Sequence, residues 1–345
     1  MTTVRKAIGF IAAAFLAACS GYAGTQTPTT NVNPATLVTA PGIRPNFARQ
    51  GIAGPLIRPH CCARQKTLFV SDAFGGSSFT GTVYMFDYVS GKSLGQVAQP
   101  PEGFLEVQGG CSDNGGNVYF ANTSLSTIDE YAHDGSYVAT IQDSGQYPVG
   151  CAYDRTTDDL AVSNIRASGG GSGSISIFHD GVLQHTYYLP SGSVYFLAYQ
   201  DDTGILWLDG SNSSGQFQLY KFFNGIFTPV RITGGSIGFP GGVAWSAKTH
   251  AINVGDQATF SSPTIYQIST TGRILGSTVL ACDQPSDICD VVEFAIKGPG
   301  IVATDAVGLD VALYPYPAGG QPIRQYGPAQ GYVQPIGVAI SPNVP

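Results

Sequence analysis

The segment IGVAI (Ile336–Ile340) is followed by only five residues, yet it has the composition of the first strand of a structural unit. It matches five upstream segments that are rich in glycine and alanine: GGCSD (109–113), VGCAY (149–153), YFLAY (195–199), GGVAW (241–245) and VEFAI (292–296). Small residues suit strands that approach one another closely. No such segment precedes the first unit, so we expect IGVAI to supply its missing strand.

The rest of each unit repeats as well. A second apolar segment ends in a small or Asx residue: LFVSD (68–72), VYFAN (118–122), LAVSN (160–164), LWLDG (206–210), INVGD (252–256) and IVATD (301–305). A third segment and a turn glycine follow each time, the glycines being Gly91, Gly135, Gly181, Gly225, Gly272 and Gly319. The second segments end 50, 42, 46, 46 and 49 positions apart, and this regular spacing indicates a repeat architecture.

Six units of four short strands predict an all-β fold, a six-bladed β-propeller with four-stranded blades over residues 66–345. Residues 336–341 should pair with residues 67–72, so that the C-terminal strand closes the first blade and removes the exposed sheet edges. The composition agrees, because the chain has 45 glycines, 22 prolines and only 11% charged residues, against about 25% in an average soluble domain. The formal net charge of −7 argues against a nucleic-acid partner.

The N-terminus predicts export. Arg5 and Lys6 precede a twelve-residue apolar run (7–18), which is shorter than the roughly 20 residues of a membrane span. The run ends in Leu-Ala-Ala-Cys at Cys19, which resembles a bacterial lipobox; the alternative is an ordinary cleavage site with a chance cysteine. The resemblance implies lipidation of Cys19 and, because Ser20 follows, the outer membrane in a bacterium with two membranes. We expect a signal peptide at 1–18, a flexible tether at 19–45 and a lead-in at 46–65.

The motifs YPVGCAYD (147–154) and FPGGVAW (239–245), followed by L-x-V-x-D/N and I-x-x-F, resemble the NHL-repeat and SMP-30-like six-bladed propellers. The SMP-30 resemblance implies a metal-dependent lactonase as one possible function, with Glu293, Asn164 and Asp256 as ligands of a divalent cation. This chain departs from that family where Gly241-Gly242 and Val149-Gly150 replace its Asn-Gly and Ser/Asp motifs. Without that resemblance, the sequence implies no cofactor.

Seven cysteines suit an exported chain with one lipidated Cys19 and six thiols that can oxidise. Cys282 and Cys289 bracket a short loop and are predicted to form a disulfide. Cys111 and Cys151 occupy what look like equivalent places in adjacent blades. They can bridge each other, or one can meet Cys61 or Cys62, because equivalent side chains point in the same rotational sense.

The loops after the second and fourth strands emerge on one face, where we expect binding. Two candidates are acidic: Glu293, which replaces a glycine near the axis, and Glu106. The Asx residues that end the second strands are also candidates: Asp72, Asn122, Asn164, Asp256 and Asp305. The third group is loop phenylalanines, namely Phe74, Phe79 and Phe260, with Phe104 and Phe239 nearby. The Asx residues either hold a cation or polar ligand, or begin Asx turns. The aromatic residues either bind a partner or pack the rim.

These observations predict a monomeric, lipid-anchored propeller in the bacterial cell envelope that acts as a binding or scaffold module. Its partner would be an envelope protein, a peptide or a glycan. A metal-dependent lactonase is only the second choice, because no complete set of catalytic residues emerges from the residue spacing.

Overall fold

The computed structural model describes residues 66–76, 80–200, 203–282, 289–327 and 331–342, and the structural statements below concern these ranges. Twenty-four strands, numbered β1 to β24 in chain order, form six four-stranded antiparallel sheets. The chain is therefore the all-β six-bladed β-propeller that the repeats predict. No helix within these ranges is long and apolar enough to cross a membrane.

Each blade is a sheet whose strands follow one another from the axis outward. Blades 1 and 2 are β24 (Pro335–Ser341), β1 (Thr67–Asp72), β2 (Thr82–Asp87), β3 (Ser93–Gln96), and β4 (Val107–Ser112), β5 (Val118–Asn122), β6 (Thr127–Tyr131), β7 (Tyr137–Gln142). Blades 3 and 4 are β8 (Gln146–Asp154), β9 (Asp159–Ala167), β10 (Ser174–His179), β11 (Val182–Tyr188), and β12 (Ser193–Gln200), β13 (Ile205–Ser211), β14 (Phe217–Phe223), β15 (Ile226–Val230). Blades 5 and 6 are β16 (Pro240–Ser246), β17 (Ala251–Asp256), β18 (Thr264–Ile268), β19 (Ile274–Val279), and β20 (Phe294–Lys297), β21 (Gly300–Asp305), β22 (Asp310–Pro315), β23 (Arg324–Gln325).

The C-terminal strand closes the ring. β24 pairs antiparallel with β1, with Leu68 opposite Ile340 and Val70 opposite Val338. The six inner strands β24, β4, β8, β12, β16 and β20 also contact one another in that order around the axis. The predicted pairing of residues 336–341 with 67–72 is therefore confirmed.

The core lies between the blades. Inner and second strands are buried on both faces, as in β1 and β24, whereas the outermost strands are largely exposed, as in β11. One apolar cluster joins blades 1 and 6 through side chains such as Leu68 and Val302, and another joins blades 1 and 2 through Phe69 and Phe120. Each such side chain contributes about 1.5–3 kcal/mol on burial, so the blade interfaces supply most of the stability.

The glycines in the outer hairpins lie where each blade contacts the blade before it. All six predicted turn glycines have φ between 69° and 88°, a backbone conformation that favours glycine. Gly225 of blade 4 illustrates the contact, because a Cβ placed there would lie 2.9 Å from the Tyr187 ring of blade 3. A side chain at this position would therefore separate the two blades.

Two disulfides are present. Cys282 and Cys289 are bonded as predicted, with their Cα atoms 6.0 Å apart. Cys111 and Cys151 are also bonded, with Cα atoms 5.5 Å apart, and this settles the pairing that the sequence left open for them. Cys61 and Cys62 lie outside the described residues.

The two bridged cysteines of blades 2 and 3 are not at equivalent positions, contrary to the sequence comparison. Cys111 lies opposite Tyr119, three residues before Asn122, whereas Cys151 lies opposite Val162, two residues before Asn164. A shift of one residue turns a side chain to the other face of its sheet. The two sulfur atoms therefore point toward each other across the blade interface.

The connections define two faces of the propeller. The upper face carries the connections after the second and fourth strand of each blade, and the lower face carries those after the first and third. Each inner strand begins at the upper face, beside the end of the second strand.

Candidate functional site

A β-bulge lies at the same place in five inner strands, and in blade 6 it lies directly before β20. Two residues of the inner strand oppose one residue of the second strand, and the pairs are Ile336-Gly337, Gln108-Gly109, Val149-Gly150, Tyr195-Phe196, Gly241-Gly242 and Val292-Glu293. The second member is glycine in four blades because the neighbouring inner strand comes close. A Cβ on Gly242, for example, would lie 2.9 Å from Cα of Glu293. The bulges set where the upper face begins.

Side chains opposite three of the bulges link their blade to the next one. The Ser71 hydroxyl donates to the carbonyl of Gln108 at 2.6 Å, and the Thr304 hydroxyl donates to the carbonyl of Ile336 at 2.7 Å. The Ser163 hydroxyl makes the same kind of bond to the carbonyl of Tyr195. These bonds satisfy carbonyl groups that the bulges remove from the sheet ladder.

Glu293 occupies a glycine position near the axis and contacts the next two blades. Its Oε2 atom accepts hydrogen bonds from the amides of Val338 at 2.8 Å and Gly110 at 3.2 Å, so one carboxyl group joins blades 6, 1 and 2. The side chain is 7% exposed. Burial raises the pKa of Glu293 to about 8, and the two amide bonds only partly oppose this rise. Glu293 is therefore a buried linking group at the axis.

The predicted Asx residues hold loops rather than face solvent. Asp72 accepts the amides of Val333 and Gln334 at 2.9 and 2.8 Å, and Asp256 accepts those of Gly238 and Phe239 at 3.0 and 3.1 Å. In both cases the carboxylate ties the loop that enters the inner strand to the end of the second strand. These contacts go beyond the predicted Asx turns, because each side chain binds the loop before the inner strand as well as its own loop.

The other three Asx residues are also engaged. Asn122 accepts the amide of Leu105 at 2.8 Å, and Asp305 accepts the amide of Asp290 at 3.1 Å. Burial, together with the neighbouring Asp305 carboxylate, raises the pKa of Asp290. The Asn164 amide instead donates to two serine hydroxyls of its own blade. All five Asx side chains are at most 9% exposed.

The lactonase ligands are not brought to one place by these contacts. Glu293 binds inner-strand amides, Asn164 binds serines, and Asp256 binds loop amides, each within its own set of partners. Within the described ranges, no three Asp, Glu, His or Cys side chains are placed to hold one metal ion.

Glu106 organises a polar cluster at the upper face between blades 2 and 3. Its carboxylate accepts the Ser124 hydroxyl at 2.6 Å and the Tyr147 hydroxyl at 3.1 Å through Oε2, and the Gln108 amide at 3.2 Å through Oε1. Glu106 has a φ of 64°, which is unusual for a residue with a side chain and costs of order 1 kcal/mol or more. Burial raises the pKa of this carboxyl group, against the influence of its hydrogen bonds and of Arg166.

Tyr147 is the accessible centre of this cluster. Its hydroxyl is fixed by Glu106 and lies 3.2 Å from Ser124, while the Arg166 guanidinium lies 5.2 Å from the centre of its ring. Both Tyr147 and Arg166 are half-buried, so part of each faces solvent. The pair forms a cation–π contact, and the tyrosine ring is held in place through its hydroxyl group.

Aromatic side chains continue around the upper face. Tyr195 and Phe239, from blades 4 and 5, pack edge to face with ring centres 5.6 Å apart, and both are half-buried. Leu105 and Val333 add exposed apolar side chains in upper loops, at 41% and 39% exposure. We call Leu105, Tyr147, Arg166, Tyr195, Phe239 and Val333 the upper binding surface.

The predicted aromatic candidates have different positions. Phe74 and Phe260 are half-buried on upper loops, and Phe79 lies outside the described residues. Phe104 is 4% exposed and packs 6.3 Å from Tyr131, so it belongs to the core and not to the surface. Tyr147 and Arg166 were not among the candidates, although the Tyr-Pro and Phe-Pro dipeptides at 147–148 and 239–240 mark the positions where aromatic residues start inner strands.

Comparison with known proteins adds information on the fold alone. No protein-family model matches the chain, and no curated protein matches it. Among solved structures, a chain of a nidogen/laminin complex is similar with a TM-score of 0.64 and 13% sequence identity, over 81% of this chain and 99% of that one. At this identity the likeness shows the fold alone.

Proposed function

We propose that the protein is a binding module of the cell envelope, anchored by lipid at Cys19, that engages a protein or peptide through the upper binding surface. The observation that carries this proposal is the Tyr147–Arg166 pair, which is held in place by Glu106 and Ser124 while part of it faces solvent. The lipid anchor is supported by the lipobox-like sequence that ends at Cys19.

Tyrosine and arginine dominate the binding energy of many interfaces. A side chain that is already fixed loses less conformational entropy when a partner binds. Tyr147 meets this condition, because its hydroxyl is bonded and its ring is covered on one side by Arg166. The unusual backbone of Glu106 is what places the carboxylate at the hydroxyl, so the local strain supports a role for this cluster.

The partner class follows from the mixture of groups. Leu105 and Val333 offer apolar contact, whereas the half-buried Arg166 offers guanidinium hydrogen-bond donors near one end of the surface. Such a mixture of aromatic, apolar and arginine side chains suits a protein or peptide better than a uniformly hydroxylated glycan. The similar chain of known structure comes from a complex between two proteins, which agrees with use of the fold for protein binding.

The test is capture from a detergent extract of the envelope on immobilised residues 19–345 that carry Cys19→Ser. Tyr147→Ala with Arg166→Ala should weaken capture of the specific partner by about 30-fold or more, the effect of losing one strong hot spot. The matched control is Tyr266→Ala with Arg273→Ala, which removes a half-buried tyrosine and an exposed arginine elsewhere. Equal capture by all three proteins would refute the proposal.

The lactonase alternative is separated on the same preparation. Thermal unfolding with added divalent cations and a lactone-hydrolysis assay are run together. A cation-dependent rise in melting temperature that Glu293→Gln abolishes, with hydrolysis lost as well, would favour the enzyme over the binding module.

A further inference from the structure

The hairpins between the third and fourth strands form the outer rim of the lower face. In every blade this hairpin carries a large apolar side chain that is 47–65% exposed. One such residue from each blade, in the order of blades 1 to 6, is Val89, Val138, Val182, Ile226, Leu275 and Ile323. Single exposed apolar residues are ordinary on a protein surface. Recurrence in all six blades is different, because equivalent hairpins of a closed ring lie at the same level and can meet one flat surface together.

The apolar exposure is greatest where blades 3 and 4 adjoin. Phe223 and Ile226 lie opposite each other on the two strands of the blade 4 hairpin, and their side chains are 42% and 65% exposed. Val182 and Leu183, both exposed, begin β11 of the neighbouring blade. The turn glycine of the blade 4 hairpin packs against blade 3, so the two hairpins support each other. They present four apolar side chains to solvent on a packed base.

The chain that precedes the propeller joins it on this same face. Lys66 directly precedes β1, and β1 begins at the lower face. The predicted tether from Cys19 has 27 residues, and a flexible chain of that length spans on the order of 30 Å. A lipid at Cys19 would therefore keep the lower face near the bilayer, where even a weak affinity for lipid is enough for docking.

The charges of the lower hairpins are mixed in sign. Acidic residues lie mainly in blades 2 and 3, as at Asp134 and Asp180, and basic residues mainly in blades 5, 6 and 1, as at Lys92, Lys248 and Arg273. A face with both signs gives no strong attraction to an anionic surface. Apolar contact is the interaction that all six outer hairpins have in common.

We propose that the outer hairpins of the lower face dock on the surface of a lipid bilayer, with Phe223 and Ile226 inserted between the headgroups. Aromatic and aliphatic side chains insert at this depth in peripheral membrane proteins. A protein partner would need a continuous apolar patch, whereas these side chains are distributed around a ring that a flat surface contacts at once. The choice of lipid rests on the anchor at Cys19 in the proposed function, and docking would turn the upper binding surface away from the membrane.

The test measures co-sedimentation of residues 19–345 with Cys19→Ser, a form without lipid, on vesicles of phosphatidylcholine. Phe223→Thr with Ile226→Thr should weaken binding by about 30-fold, because partial burial of each side chain contributes about a factor of five. The matched control is Tyr188→Thr with Val279→Thr, which removes two exposed apolar side chains from the upper ends of outermost strands and should change binding little. Equal melting temperatures of the three proteins show that the variants are folded.

A second readout does not depend on loss of binding. The fluorescence of Phe223→Trp should be quenched by vesicles of brominated phosphatidylcholine, whereas that of Tyr188→Trp should change no more than the background of Trp207 and Trp245. Binding of the parent protein should persist at high salt and should not require phosphatidylglycerol, because apolar contact is not screened.

Three results would overturn the proposal. The first is absence of vesicle binding by the parent protein, or equal weakening by the two double variants. The second is binding that requires phosphatidylglycerol and is lost at high salt, which would indicate recognition of headgroup charge. The third is self-association in analytical ultracentrifugation that Phe223→Thr with Ile226→Thr abolishes, which would assign these hairpins to a second copy of the chain. None of these results affects capture through Tyr147, so failure of the docking proposal is distinguishable from failure of the proposed function.

Discussion

Replacing Glu293 by glutamine should make the protein more stable at high pH and leave it nearly unchanged at low pH. The folded protein holds this carboxyl group with a pKa of about 8, against an ordinary value of 4.5. A pKa raised on folding means that the folded state binds the proton more tightly than the unfolded state does. The stabilisation is therefore complete below pH 4.5, decreases between pH 4.5 and 8, and is lost above pH 8.

The size of the effect follows from the same two values. The difference of 3.5 between them corresponds to about 5 kcal/mol at about 1.4 kcal/mol for each tenfold change in proton affinity. The glutamine oxygen can still accept the amides of Val338 and Gly110, since both bond to one carboxylate oxygen. The variant should thus gain several kcal/mol over the wild type at pH 9 and differ by less than about 1 kcal/mol at pH 5.

The assay is urea unfolding of residues 19–345 with Cys19→Ser between pH 5 and 9, followed by tryptophan fluorescence. Trp207 is 1% exposed, so its emission reports the loss of the core. Glu102→Gln is the matched control, because Glu102 is exposed on an upper loop. Other buried carboxyl groups such as Asp143 are common to both proteins and cancel in the difference. Parallel pH profiles for wild type and Glu293→Gln would refute the reasoning.

Three further predictions test closure, cross-linking and anchoring. Truncation after Pro335 removes the buried Ile336, Val338 and Ile340 and should lower the free energy of unfolding by about 6 kcal/mol, enough to unfold a typical domain. Truncation after Ser341, the control, should have no effect. If the protein truncated after Pro335 unfolds cooperatively at the urea concentrations that unfold the wild type, ring closure is contradicted. Cys111→Ser breaks a disulfide that spans 40 residues and should lower the free energy of unfolding by about 4 kcal/mol. Cys282→Ser breaks one that spans 7 residues and should lower it by about 2–3 kcal/mol, because a shorter loop restricts the unfolded chain less. A larger loss for Cys282→Ser would be evidence against this explanation by chain entropy. Cys19→Ser should move the protein from the membrane fraction to the soluble envelope fraction on cell fractionation, and an unchanged distribution would show that another anchor exists.

The fold could be predicted from the sequence because its repeats are explicit. Alternating apolar segments, turn glycines and the displaced IGVAI segment define six blades and the closing strand without any long-range information. The register of the inner strand of blade 2 could not be predicted, because either Gly109 or Gly110 can be aligned with Gly150 in the sequence, and only the position of the bulge shows that Gly109 is the equivalent residue. Cys111 and Cys151 show this, since they align in sequence and are offset by one residue in the sheets.

The site was harder to predict than the fold. Four of the five Asx residues end strands in the expected places and bind loops, as Asp72 does, whereas Asn164 lies inside β9 and binds serines of its own blade. The Tyr147–Arg166 contact joins residues from two strands of one blade, and the Glu106 contact joins two blades, so neither follows from spacing along the chain. Phe104 shows the opposite case, because its polar loop sequence suggested a position on the surface, whereas its side chain lies in the core.

The most direct test of the proposed function is site-specific photo-crosslinking in intact cells. A photoreactive residue is placed at Leu105 or Val333 on the upper binding surface, or at Val89 on the lower face, where the side chain is 63% exposed. The proposal predicts a discrete adduct from Leu105 and Val333 that Tyr147→Ala abolishes, and no such adduct from Val89. Adducts from Val89 alone, or the same adduct from all three positions with and without Tyr147, would contradict it.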